Sequence, residues 1–228
     1  MKHAKSLING KKINIQEWEF SHKEDTPICL VCNNELYVKA HPSPGVTTHF
    51  SHYKNADCPL VKDHHQRYQT LRPGIQDKEN GEQVKQLFVN NIGIMFAECK
   101  RIFGDGLTHA VFKEMIKKAT ERDIWFYKGL KIEYVPYVLL VNYGVFKKTN
   151  KTPKIHFVLD ANLSNYDELW NKSKNIKHTI WRVFTESLEI EEYKMDTNLG
   201  GTRVPHYFID YIFDLQVKKK SVTEFLKW

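Results

Sequence analysis

The stretch Cys29-Leu30-Val31-Cys32-Asn33-Asn34-Glu35-Leu36-Tyr37-Val38-Lys39-Ala40, carried on to His49-Phe50-Ser51-His52 and Cys58, decides how the first part of this chain folds. Its spacing is Cys-x2-Cys, sixteen residues, His-x2-His, five residues, Cys. A Cys-x2-Cys pair places two thiolates on one tight turn, where both sulfurs can face a single cation. A protein-bound zinc ion takes four ligands in a tetrahedron, so a second pair must fold back over the first. The intervening residues provide that return. Leu36, Val38 and Ala40 alternate with Tyr37 and Lys39 at the period of a strand. His41-Pro42-Ser43-Pro44-Gly45 is a loop by composition, and Val46–Ser51 reads as a returning strand. Asn33 and Asn34 suit the left-handed backbone of a metal knuckle. A module this small, with few apolar residues, needs such a staple to fold.

The expected ligands are Cys29, Cys32, Cys58 and one histidine. His49 and His52 are three apart and face opposite ways in an extended strand. His52 is preferred because it lies nearer Cys58 and follows Phe50, which can pack the module's core. His49 is the alternative, otherwise a hydrogen-bonding neighbour of the site. The expected cofactor is a structural Zn2+, since four protein ligands leave no position open for chemistry.

These residues resemble the N-terminal zinc-finger region of the competence protein CoiA family. The resemblance rests on a strand pair around Asn9-Gly10, the Cys29–Cys32 pair, the strand Leu36–Lys39, the block His49-Phe50-Ser51-His52 and Cys58. It spans roughly residues 1 to 65. It implies a bacterial or phage DNA-processing or defence context. Typical members follow the finger with a metal-dependent nuclease marked by an acidic helix residue, an aspartate, and Glu-x-Gln or Glu-x-Lys on a strand.

Upstream, Asn9-Gly10 joins Ala4–Ile8 and Lys12–Ile15 as a hairpin. Downstream, residues 63 to 80 are polar and broken by Arg72-Pro73-Gly74. The expected organisation is a finger module over 1–65, a linker over 66–80 and an α+β domain over 81–228. The class is α+β: a β-rich module, a mostly helical region, then a mixed α/β part. Apolar residues from Val84 to Phe103 recur at helical spacing, with Asn90, Asn91 and Gly93 as the residues able to split the helix. Gly104-Asp105-Gly106 ends that helix, and Thr108 caps the next. Tyr137–Tyr143 reads equally as a helix behind Pro136 or as a buried strand. Strands are expected over Ile155–Leu159 and Thr179–Phe184, a short helix over Tyr166–Lys174, and a last helix from Phe208 to Leu215.

Glu98-Cys99-Lys100 is the one match to the nuclease signature. Glu98 and Lys100 fall in a helical pattern, however, where residues two apart point about 200° from each other. A nuclease needs its carboxylates on converging strand ends. A non-catalytic reading is preferred, with a divergent Mg-dependent nuclease as one alternative and a zinc-stapled protein-interaction scaffold as another. The net charge is +7 over 228 residues, which suits an anionic partner, DNA foremost. Candidate phosphate contacts are Lys113, Lys117 and Lys118, then Lys147, Lys148, Lys151 and Lys154, then Lys172, Lys174 and Arg182. Trp125, Tyr127, Trp170 and Trp181 lie near these clusters and can stack bases or fill the core. No apolar run is long enough to span a membrane and no signal segment opens the chain, so a soluble cytoplasmic protein is expected.

Overall fold

The computed structural model describes residues 1–21, 24–39, 48–61, 71–150, 152–159, 163–170, 178–187 and 189–197. Its first elements are short. Strands β1 (His3–Ser6) and β2 (Lys12–Asn14) pair antiparallel around a turn in which Gly10 takes φ 71°. Asn9 shapes that turn by accepting the Lys11 backbone N–H at 2.9 Å. Ile15 does not extend β2. It opens a helix, α1 (Ile15–Ser21), because the Asn14 side chain accepts the Glu17 N–H at 2.8 Å and caps it. Ile15 and Trp18 are the buried residues of that helix. Strand β3 (Pro27–Ile28) pairs with the free edge of β1. It stops before Val31 because Cys29 donates to the Asn34 carbonyl and the chain turns.

Strands β4 (Leu36–Lys39) and β5 (His49–His52) form a two-stranded antiparallel sheet, with Leu36 opposite His52 and Lys39 opposite His49. The expected loop over 41–45 lies outside the described residues, as do residues 66–70 of the expected linker.

The helical region begins with α2 (Lys78–Asn90) and α3 (Ile92–Phe103). They separate at Asn91, whose backbone and side-chain nitrogens both donate to the Leu87 carbonyl. Gly104 ends α3 at φ 95°, a conformation that favours glycine. Thr108 caps α4 (His109–Glu121) by accepting the Val111 N–H at 3.3 Å. The ambiguous segment is a helix, α5 (Val135–Tyr143), with Pro136 in its first turn. Every residue from Val135 to Asn142 is buried. A helix covered on all sides carries no polar stripe, so periodicity has nothing to report.

Strands β6 (Ile155–Val158), β7 (Thr179–Phe184) and β8 (Ile190–Lys194) form an antiparallel sheet in the order β6-β7-β8. The expected helix from Tyr166 is a 3₁₀ turn over Tyr166–Leu169; residues 171–177 and the expected final helix lie outside the described residues. One face of the sheet, with Ile155, Phe157 and Ile180, joins the core of α2–α5. The other, with Val158, Trp181, Val183 and Ile190, joins Ala4, Ile13, Trp18, Leu36, Phe50 and the cysteines of the N-terminal module. The α+β class holds, and the sheet is a partition between two apolar clusters. Among the described residues, no helix is long and apolar enough to cross a membrane.

Candidate metal centre

Four side chains converge where the Cys29–Cys32 turn meets the end of β5. One ligand atom each from Cys29, Cys32, His52 and Cys58 lies within 4.8 Å of all the others. Cys29 Sγ and Cys58 Sγ are 3.9 Å apart, and Cys32 Sγ is 3.4 Å from His52 Nε2. The local fold follows from backbone bonds. Cys29 donates to Asn34 O at 2.8 Å, Asn33 donates to Cys29 O at 3.1 Å, and Val31 N–H points at Cys29 Sγ at 3.4 Å. Asn33 takes φ 57°, the left-handed position foreseen for the knuckle. On the other side, pairing of Leu36 with His52 carries the imidazole to the knuckle, while His49 sits opposite Lys39 at the far end of the strands. The structure thus brings His52, and not His49, to the three thiols.

The electrostatics are those of a cation site. Three thiols share one small space, and Cys32 is the one held as thiolate, far below the usual cysteine value. Hydrogen bonds from Cys29 and then Cys58 produce that shift, with His52 assisting. Cys29 is pushed up to about 12, chiefly by its hydrogen bond with Cys32. Cys58 is raised further, by Cys29 and then Cys32. A divalent cation at this point would favour ionisation of all three thiols. The group can hold a metal ion.

Glu98 lies on α3 and is buried. Its oxygens accept Arg101 Nε at 2.7 Å and Nη2 at 2.6 Å, and the Tyr137 hydroxyl at 2.6 Å. Burial first, then that bond, raises the Tyr137 hydroxyl above its ordinary value. Both oxygens of Glu98 are therefore engaged inside the fold, and Lys100 is half-buried on the same helix. The Tyr137 contact bridges 39 residues and had no local sequence signal.

The basic candidates divide. Lys117, Lys147 and Lys154 are exposed and Lys113 is half-buried. Lys148 is exposed and pairs with Glu186 at 2.7 Å. Lys118 donates to the Tyr143 carbonyl at 3.1 Å and lies 3.9 Å from its ring centroid. Burial, then Arg122, lowers its pKa. Arg182 binds Glu191 and donates to the Ile102 and Phe103 carbonyls at the end of α3. Lys118 and Arg182 are thus held by internal contacts. Lys151, Lys172 and Lys174 lie outside the described residues. Trp125, Tyr127, Trp170 and Trp181 are core residues, at most 9% exposed.

No family model, curated protein or solved structure matches the chain.

Proposed function

We propose that Cys29, Cys32, His52 and Cys58 hold a structural zinc ion, and that the chain is a non-catalytic nucleic-acid-binding protein. The convergence of three thiols and one imidazole within 4.8 Å carries the first part. Bonds of about 2.3 Å to sulfur and 2.05 Å to nitrogen place tetrahedral sulfurs about 3.8 Å apart, and sulfur and nitrogen about 3.6 Å apart. The spacings of 3.9 and 3.4 Å match that requirement. A soft thiolate-rich set of four favours zinc over hard cations. With all four positions filled by protein, the ion's role is to hold the module together, not to activate water.

The second part is supported by the net charge of +7 and by the exposed Lys117, Lys147 and Lys154. The resemblance of residues 1 to 65 to the CoiA finger points to DNA as the nucleic acid, in a DNA-processing or defence setting. The engagement of Glu98 by Arg101 and Tyr137 supports the non-catalytic reading.

Metal analysis of the purified protein tests the zinc: one equivalent is expected, retained in His49→Ala and lost in His52→Ala. Loss in His49→Ala with retention in His52→Ala would overturn the ligand set. A DNA titration at two salt concentrations tests the partner. About four phosphate contacts give a roughly 100-fold fall in affinity between 50 and 200 mM salt. No binding at either concentration would sink the nucleic-acid reading.

A further inference from the structure

A cleft of about 240 Å³ lies where the metal knuckle, the β1–β2 hairpin and the β7–β8 strands meet. Lys5 and Lys12 line the hairpin side, Leu30 and Asn33 the knuckle side, and Trp181 and Glu192 the sheet side. Folding alone gives no reason for its composition. Lys5 and Lys12 sit directly opposite each other across β1 and β2, where like charges destabilise a strand pair. Among the described residues, no carboxylate lies within ion-pair distance of either ammonium. Trp181 is 2% exposed, yet its indole N–H has no hydrogen-bond partner among the described residues. A buried indole N–H ordinarily finds one.

We infer that this cleft binds a nucleotide through its phosphate. Two lysines directly opposite each other across adjacent strands, both lining the cleft, can bring two ammonium groups to one phosphate, and the bound anion removes their mutual repulsion. Two lysines against one glutamate leave the lining with a single net positive charge, the complement of one phosphodiester. Glu192 offers an acceptor to a sugar hydroxyl or base amino group. Trp181 forms part of the wall, and Leu30 offers an apolar contact for the base. The volume lies just below the roughly 300 Å³ at which pockets for drug-sized ligands begin, so one nucleotide unit fills it. One wall is the knuckle itself, with Asn33 fixed at φ 57° beside Cys32. The cleft therefore exists in this form only while the metal-binding turn is folded. The inference rests on the proposed nucleic-acid reading for its choice of a nucleotide over other phosphate esters.

The test uses the full chain loaded with zinc and two probes, deoxythymidine monophosphate and single-stranded oligothymidylate. The readout is the indole N–H resonance of Trp181, assigned with Trp181→Phe, alongside calorimetric affinity. A shift of that resonance is expected, and Lys5→Gln and Lys12→Gln should each weaken binding about tenfold, the loss of one charge-assisted hydrogen bond. A response to the oligonucleotide alone identifies a strand's phosphodiester as the ligand; a response to the monophosphate identifies a free nucleotide. Either supports the cleft. Oligonucleotide binding with an unmoved Trp181 resonance and unchanged affinity in both variants overturns the cleft and leaves the nucleic-acid reading standing. Monophosphate binding without any oligonucleotide binding does the reverse. A resonance that moves with polyglutamate and with neither nucleotide would make this a carboxylate site and overturn the assignment.

Discussion

On the helical side of the β6–β8 sheet, the core is built from Phe88, Phe96, Met115, Trp125, Tyr137 and their neighbours. On the N-terminal side it is built from Ala4, Ile13, Trp18, Phe50 and three cysteines. The first cluster draws on four helices of nine to thirteen residues. The second draws on strands of two to four residues and one helix of seven. Strands that short form no independently stable sheet in water. The difference shows two ways of covering one sheet: long helices bury one face, while short strands cover the other beside a cluster that can hold a metal ion.

Metal removal should break this comparison most visibly. Binding at a site of this kind is worth on the order of 10 kcal/mol. Chelation, or Cys58→Ser, should therefore unfold β1–β5 and α1 and expose Trp181, Val183 and Ile190, while the helical signal persists. Hydrogen exchange and circular dichroism on one sample would read both effects. Loss of the helices in the same transition would show a single cooperative unit instead. Because Cys29 sits near pKa 12 in the metal-free site, uptake must release protons. Apparent metal affinity should rise with pH and fall in acid.

Trp125→Ala probes the other face. It removes a buried indole and its 2.9 Å bond to Thr120. A loss of about 3–5 kcal/mol is expected, with metal content unchanged. Arg182→Ala cuts the tie between the sheet and the end of α3, leaving the Ile102 and Phe103 carbonyls without that donor. Denaturant unfolding should show a loss of about 2 kcal/mol. Thr108→Ala removes one helix cap, at about 1 kcal/mol, and confines the change to α4. The smallest effect belongs to His49→Ala, which should leave zinc stoichiometry untouched because His49 lies at the opposite end of β5 from the thiols.

Legibility differed in the same way between regions. The hairpin at Asn9-Gly10, the Thr108 cap, the split at Asn91 and the strand Thr179–Phe184 were readable because each has a local cause in turn, cap or β-branched residues. The short helix α1 was not read, although Asn14 followed three residues later by Glu17 is a capping signal. Strand β8 was missed because Ile190 is its only buried residue. The identity of α5 was beyond local reading, since complete burial erases the period that separates helix from strand.

The cysteines of the cluster that can hold a metal ion were legible in spacing, because thiols three residues apart on a turn have few other uses near a histidine pair. Spacing favoured His52 over His49 through its nearness to Cys58, but could not show the β4–β5 register that places His52 opposite Leu36, beside the knuckle. Nor could it show that the module's apolar side packs on Trp181, or that Lys5 and Lys12 meet Trp181 and Glu192 around one cleft. Those contacts join residues far apart in the chain. They arise only when the hairpin and the knuckle pack on the same sheet, and no local pattern records a neighbour that distant.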